Sequence, residues 1–155
     1  MSDLNDIFNE FARLFTGQIQ DVRDIAFPRY LSRHLLDGSI DSLHHVDKYL
    51  VHIHQNRARL SDDDWNLTVL RAGAYVGEVM RHAAPAGTFR WVDYEEYIPE
   101  HPDMQAMLPE RTPATCAFLV SNSDQMCMPL NKIARFIEEG TEHSVHYFAG
   151  VFLKE

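Results

Sequence analysis

The 155-residue sequence has few cysteines, a deficit of basic residues and no long apolar run, and each shortage excludes a class of protein. Cys116 and Cys127 are too few for a disulfide-scaffolded domain, so we expect reduced thiols. Only 14 Lys and Arg stand against 23 Asp and Glu, and the net charge of −9 disfavours binding to nucleic acid or to anionic membranes. No segment approaches the roughly 18 consecutive apolar residues of a membrane span.

Targeting and catalytic motifs are also missing from the sequence. Residues 1–6 begin acidic and lack the basic and apolar regions of a secretory signal, so we expect a cytoplasmic protein. The HExxH, P-loop, GxGxxG and GxSxG patterns do not occur. These absences predict a protein without a cofactor and without catalytic residues of a known pattern.

The length and composition are those of an ordinary globular domain. Hydrophobic residues make up 45% of the chain and charged residues 24%, and a chain of this size buries enough surface to fold alone. We expect a single domain over residues 1–155, with a helical half at about 1–85 and a sheet-containing half at about 86–155. The segregated order of helices and strands predicts the α+β class: an N-terminal helical half packed on a small antiparallel β-sheet, with one or two C-terminal helices.

Apolar periodicity divides the first 60 residues into three predicted helices. The first begins at Ser2 or Asp3 and ends at Gly17. The second spans residues 19–36, with a break or kink near Pro28. The third is capped by Ser39 and ends at about residues 57–58.

The segment Ser61 to Asp64 carries the strongest helix-start signal in the chain. Ser followed three positions later by Asp resembles a capping box, and the acidic first turn suits the positive end of the helix dipole. We therefore predict a long helix from Asp62 to about Ala83. Gly73 and Gly77 leave one face of this helix flat, which favours close approach of another backbone.

The second half of the chain has strand signals followed by a helix. Residues 89–94 read as a strand, and residues 99–114 contain four prolines and read as a surface loop. Residues 115–120 and 125–128 read as a hairpin in which Phe118 faces Cys127, so that Cys116 is a diagonal neighbour of Cys127.

The C-terminal elements begin with a proline. Pro129 at a first-turn position predicts a helix over residues 130–139 that ends at Gly140. Residues 145–152 fit either a strand or a short helix.

Nine histidines raise the question of a metal site. Four of them, His44, His45, His52 and His54, lie on one predicted helix, but none of these pairs has the i, i+3 or i, i+4 spacing that two ligands on a helix require. His143 and His146 could share a helix face, yet no third ligand is close in sequence. We therefore interpret the histidines as surface residues and predict no metal site.

Glu78 on the long helix has two interpretations. A pair with Arg81 or His82 on the solvated face is the ordinary one. Alternatively, Glu78 faces a cleft beneath Trp91, where Glu78, Arg81 and Trp91 would line a small-ligand pocket in a binding domain or an enzyme.

Acidic residues alternate with aromatic residues after the first predicted strand. Aromatic anchors within a ring of carboxylates suit recognition of a basic protein, because the rings supply buried area and the carboxylates supply steering. The predicted partner-binding residues are Trp91, Asp93, Tyr94, Glu95, Glu96, Tyr97 and Glu100.

The long-helix segment Leu70 to Arg81, with its GAYxGExxR pattern and Trp91 ten residues further on, resembles a motif of small bacterial proteins of uncharacterised function. The resemblance covers residues 40–137 and includes Met128-Pro129-Leu130. It implies a helical half packed on a small antiparallel sheet and carries over no catalytic residue. In general character, the chain is also similar to immunity proteins, which neutralise a toxin by covering its active site.

The leading hypothesis is a non-catalytic, acidic binding protein that engages a basic protein, specifically an immunity protein bound to its cognate toxin. The alternative hypothesis is the small-ligand pocket around Glu78. A third hypothesis is a homo-oligomer that buries the glycine face of the long helix.

Overall fold

A computed structural model describes residues 3–153, and these residues form seven α-helices and a three-stranded antiparallel sheet. The α+β class predicted from the sequence is therefore confirmed. The elements are α1 (Leu4–Thr16), α2 (Leu43–Gln55), α3 (Asp62–Ala83), β1 (Phe89–Asp93), α4 (Tyr94–Tyr97), α5 (Pro102–Met107), β2 (Ala117–Ser121), β3 (Met126–Cys127), α6 (Pro129–Glu139) and α7 (Val145–Leu153). The strand order is β1-β2-β3.

The longest helix, α3, begins and ends as the sequence predicts. The Ser61 hydroxyl accepts a hydrogen bond from the Asp64 backbone N–H at 3.1 Å, and the Asp64 carboxylate accepts one from the Ser61 N–H at 3.4 Å. This capping box satisfies two backbone donors that the first helical turn would otherwise leave free. Helix α3 packs on α1 and α6 and so forms the centre of the fold.

Loss of the capping box should weaken the whole fold. Ser61→Ala is expected to lower the free energy of unfolding by about 1 kcal/mol, the usual cost of removing an N-cap hydroxyl. Urea denaturation measures this change. Ser32→Ala is the matched control, because Ser32 precedes a short helical turn without a side-chain cap bond; equal stability of the two variants would contradict the capping role.

The glycine face of α3 is covered within the chain. A Cβ atom at Gly73 would lie 2.8 Å from the Cα of Leu130 in α6, and one at Gly77 would lie 2.1 Å from Cζ2 of Trp91 in β1. The predicted close approach to another backbone is therefore met by α6. The hypothesis that this face joins two copies of the chain is wrong, because the face is already occupied.

The predicted helix over residues 19–36 is absent from the described structure, which has two short 3-10 turns there, at Pro28–Tyr30 and Arg33–Leu35. Phe27 takes a left-handed conformation with φ of 46°, and Pro28 lacks the N–H that a continuous helix needs. The Asp24 carboxylate accepts hydrogen bonds from the Ile25 N–H and from Arg33. These local bonds compete with helix formation while Ile25 is still buried.

Helix α2 begins later than the sequence predicts. Ser39 does accept a hydrogen bond from the Ser42 N–H at 3.1 Å, but residues 39–42 form a turn and the regular helix begins at Leu43. It ends at Gln55, and a 3-10 turn at Arg57–Arg59 follows.

The central strand, β2, is buried on both faces. Leu119 faces the main core, which joins α1, α2, α3, α6 and α7, whereas Phe118 and Val120 face a smaller cluster with Val92 and Tyr97. A strand covered on both sides reads as a continuous apolar run, which is the pattern of residues 117–120.

The hairpin has a register one residue away from the predicted one. Leu119, rather than Phe118, pairs with Cys127, because Asp124 takes a left-handed conformation with φ of 64° and lengthens the loop to three residues. This shift moves Cys116 away from its predicted diagonal contact with Cys127. Both cysteines are free thiols, and burial raises the pKa of the Cys127 thiol to about 12.

Two segments of the second half are more helical than expected. The proline-rich stretch 99–114, predicted as a loop, contains α5, because Pro102 occupies a first-turn position where its missing N–H costs nothing. Residues 145–152, which fitted either a strand or a helix, belong to α7.

Within residues 3–153, none of the helices combines the length and the apolar character needed to cross a membrane.

Candidate functional site

Glu78 joins three elements of the fold. Its Oε2 accepts hydrogen bonds from Arg81 Nε at 2.7 Å and Trp91 Nε1 at 3.1 Å. Its Oε1 accepts hydrogen bonds from a second Arg81 nitrogen at 2.9 Å and from Asn9 Nδ2 at 3.0 Å. The carboxylate therefore connects α3 with α1, through Asn9, and with β1, through Trp91.

The donors around Glu78 decide its charge. Burial raises the pKa of this carboxyl group, but the hydrogen bonds from Arg81, Asn9 and Trp91 together outweigh burial and hold the pKa below its ordinary value. The same pair raises the pKa of Arg81. Glu78 is thus a buried, ionised carboxylate whose two oxygens each accept two hydrogen bonds from the protein.

A cavity of about 380 Å³ lies beside Glu78, between α1, α3 and residues 36–38. The structure brings Glu78, Arg81 and Trp91 together, as the ligand-pocket hypothesis requires. However, Arg81 and Trp91 both bind Glu78 itself, and neither of them lines this cavity. The ligand pocket stays a prediction, and the contacts favour a structural role for Glu78.

Trp91 lies inside the fold, with only 3% of its surface exposed. Its ring stacks on Phe8 with a centroid separation of 4.2 Å, and Gly77 provides the space for the ring edge. The expectation that Trp91 is an exposed anchor for a partner is wrong, because the ring fills the junction of α1, α3 and β1.

The two tyrosines of the predicted binding surface are also buried. Tyr94 donates a hydrogen bond to the Leu108 carbonyl at 2.6 Å, and Tyr97 packs on Phe118 and stacks on His101. Their apolar surface covers the outer face of the sheet and cannot also cover a partner.

The carboxylates of the same segment remain accessible. Glu95, Glu96 and Glu100 are exposed and Asp93 is half-buried. Asp93 pairs with Arg111 at 3.0 Å and Glu96 pairs with Arg90 at 3.1 Å. Among residues 3–153, no Lys, Arg or His forms an ion pair with Glu95 or Glu100.

An apolar groove that the sequence did not reveal lies beside Asp93. It has a volume of about 590 Å³ and lies between α1, α3 and the residues that lead into β2. Its apolar lining includes Leu4, Ile7, Phe11 and Leu70, and Ile7 is 37% exposed.

The groove continues into a smaller cavity of about 370 Å³ lined by Asp3, Asp93 and Glu96. The two cavities share Leu4, Ile7 and Asp93. We call the combined surface the acidic groove: its floor is Leu4, Ile7, Phe11 and Leu70, and its rim is Asp3, Asp93 and Glu96. Arg90 and Arg111 also line the groove, each paired with a rim carboxylate.

The sequence alone does not predict this groove. The apolar stripe of α1 spans Leu4, Ile7, Phe8, Phe11, Leu14 and Phe15, which is the ordinary width of a helix face that packs on a core. Phe8 and Phe15 are buried, whereas Ile7 is exposed. Only the fold shows which edge of the stripe is left open.

The histidines of α2 have separate surroundings. His52 stacks on Tyr30, and the Nδ1 atom of His54 lies 2.8 Å from the Ile137 carbonyl oxygen. His44 stacks on His146 of α7 with a centroid separation of 3.6 Å. The prediction that His143 and His146 share a helix face is wrong, because His143 lies in the 3-10 turn before α7.

No protein-family model, curated protein or solved structure matches this chain.

Proposed function

We propose that the protein is a non-catalytic binding protein whose acidic groove holds a basic protein. The specific form of this proposal is an immunity protein that covers the active site of its cognate toxin. Such a role needs a complementary surface and no reacting group from this chain.

The observation that carries the proposal is the combination of an open apolar floor with a carboxylate rim. Protein interfaces have an apolar centre that excludes water and a polar edge that selects the partner. In the acidic groove, Ile7 and Phe11 belong to the floor, and Asp93 and Glu96 belong to the rim. This arrangement replaces the predicted one, in which the aromatic residues of the 91–97 segment were the anchors.

Charge determines the chemistry of the partner. The chain carries a net charge of −9, and a field of this sign attracts basic proteins and accelerates their association. Arg90 and Arg111 pair with two rim carboxylates, but exposed pairs of this kind contribute only about 0–1 kcal/mol. Arg or Lys side chains of a partner can therefore replace Arg90 and Arg111 beside these carboxylates at a small cost in free energy.

Charge reversal at the rim tests the proposal. The tagged protein is used to capture partners from a lysate of its source cell at low and high salt. We expect the wild type to retain a basic protein in stoichiometric amount at low salt and to release it at high salt. Glu95→Lys/Glu96→Lys should lose at least about 90% of the captured partner at low salt, because it reverses the rim carboxylate Glu96 and its exposed neighbour Glu95.

Glu138→Lys/Glu142→Lys is the matched control, because it makes the same change of charge at two exposed residues of α6 and the turn after it. This control should still capture the partner. If both double variants lost the partner equally, net charge rather than the acidic groove would determine binding. If the wild type captured no basic protein at low salt, the proposal would be contradicted.

The apolar floor gives a second, independent test. Ile7→Ser should weaken the captured complex without changing its salt dependence, because it removes apolar contact and no charge. Unchanged affinity would place the interface away from the acidic groove.

A further inference from the structure

Asp41, His44 and His146 come together where α2 meets α7. Asp41 lies in the turn before α2, His44 in the first turn of α2 and His146 in the first turn of α7. One potential ligand atom from each residue lies within 4.8 Å of the other two. The Nε2 atom of His146 is 3.8 Å from an Asp41 carboxylate oxygen.

Asp47 fixes the position of His146 relative to α2. Its carboxylate accepts hydrogen bonds from the Ser144 hydroxyl at 2.6 Å, the Val145 N–H at 2.7 Å and the His146 N–H at 3.4 Å. These bonds cap α7 and hold its first turn against α2. The cluster is therefore positioned by a contact that does not involve its own ligand atoms.

A cavity of about 790 Å³ adjoins the cluster and is lined by Asp41, His44 and Asp47, among others. The two carboxylates make this cavity favourable for a cation, although Lys48 also lies on its wall. The open space would leave room for water beside a bound ion.

We propose that Asp41, His44 and His146 bind a divalent transition-metal ion of the zinc class, with two imidazole nitrogens and one carboxylate oxygen as ligands. This set matches zinc and its neighbours, which prefer imidazole, whereas Mg²⁺ and Ca²⁺ prefer oxygen. Three protein ligands leave a fourth position for water.

Metal binding requires two adjustments of these side chains. Ligand atoms around tetrahedral zinc are separated by about 3.3 Å, so the 3.8 Å between His146 and Asp41 must shorten slightly. His44 has to turn out of its stack on His146, because two parallel rings do not direct their nitrogens at one point. His44 and Asp41 are exposed and free to make these changes.

A second group with metal-ligand chemistry, Glu139, Glu142 and His143, is a poorer candidate. There, Arg135 lies 2.9 Å from the Glu139 carboxylate and the Lys132 amine lies 3.2 Å from His143. These cations occupy the group already and would repel a metal ion.

Zinc titration tests the proposed site. Isothermal titration calorimetry of the wild type should show one Zn²⁺ per chain, and zinc should raise the melting temperature because the ion joins α2 to α7. Mg²⁺ should produce neither effect. His44→Ala and Asp41→Asn should each weaken zinc binding by at least about tenfold, since even the loss of an outer-shell partner has an effect of this size.

His34→Ala is the control, because it removes an exposed imidazole outside the cluster; it should bind zinc like the wild type. Asp41→Asn keeps the proposal testable if a histidine variant folds poorly, because the Asp41 side chain is 95% exposed. Wild-type affinity in both Asp41→Asn and His44→Ala, or an equal loss in His34→Ala, would overturn the site. The Glu95→Lys/Glu96→Lys variant should bind zinc normally, so this test is independent of the acidic groove.

Discussion

Gly77→Ala is expected to lower the free energy of unfolding by about 2–3 kcal/mol, although alanine is the better helix former. The added Cβ would lie 2.1 Å from Cζ2 and 2.4 Å from Cη2 of Trp91. The Trp91 ring cannot move aside easily, because Phe8 stacks on it and Glu78 accepts its N–H hydrogen bond. Overlap with a fixed ring therefore outweighs the gain in helix propensity of about 1 kcal/mol.

Urea denaturation measures this effect, and Gly150→Ala is the matched control. Gly150 also lies within a helix, α7, but an added Cβ there meets no atom within 4 Å. Gly150→Ala should therefore raise stability by up to about 1 kcal/mol. If Gly77→Ala were equally stabilising, Trp91 would not occupy the space beside Gly77.

Glu78→Gln is expected to lower the free energy of unfolding by about 3 kcal/mol at neutral pH. The substitution keeps the shape of the side chain but removes the charge that Arg81 faces at 2.7 Å. The Glu78 side chain is 6% exposed and that of Arg81 is 22% exposed, so the guanidinium is left with little solvent to replace its partner. Breaking one side of a buried ion pair costs about 3–5 kcal/mol, and the partial exposure of Arg81 places the effect at the lower end.

The pH dependence of the same variant provides a signature of the charge. The Glu78 pKa in the folded protein lies below the ordinary value of a glutamate carboxyl group. Its stabilising contribution is therefore complete above about pH 5 and is lost as the pH falls through the lowered pKa. The stability difference between the wild type and Glu78→Gln should narrow over that acidic range.

Glu95→Gln is the control for Glu78→Gln, because Glu95 is exposed and its replacement should change stability by less than about 0.5 kcal/mol. A Glu78→Gln variant as stable as the wild type would contradict the structural role. It would favour the ligand-pocket hypothesis, in which Glu78 binds a small ligand in the cavity of about 380 Å³ beside it.

Local signals predicted the parts of the fold that depend on local chemistry. The capping box at Ser61 determined the start of α3, and Pro129 with Gly140 determined the limits of α6. Residues 19–36 were mispredicted because their apolar spacing is helical while their hydrogen bonds are made to the Asp24 side chain and to distant groups. The hairpin register depended on the left-handed conformation of Asp124, which apolar periodicity does not reveal.

The candidate sites were harder to predict because they join distant parts of the chain. A contact between Glu78 and Trp91 was one of two interpretations of Glu78, and the small residues on α3 predicted a close neighbour without identifying it. The prediction of exposed rings at Tyr94 and Tyr97 was wrong, because a pattern of aromatic residues among carboxylates does not show which face of the short helix α4 packs on the sheet. His44 lies on α2 and His146 on α7, far apart in the sequence, so ligand spacing within one helix could not reveal their contact.

The most direct test of the proposed function is the association rate of the captured basic partner as a function of salt concentration. We predict that the wild type associates faster at low salt than at high salt, and that Glu95→Lys/Glu96→Lys associates at least about tenfold more slowly at low salt. The two rates should converge at high salt, where charges are screened. Equal association rates of the two proteins at low salt would contradict the acidic groove as the binding surface.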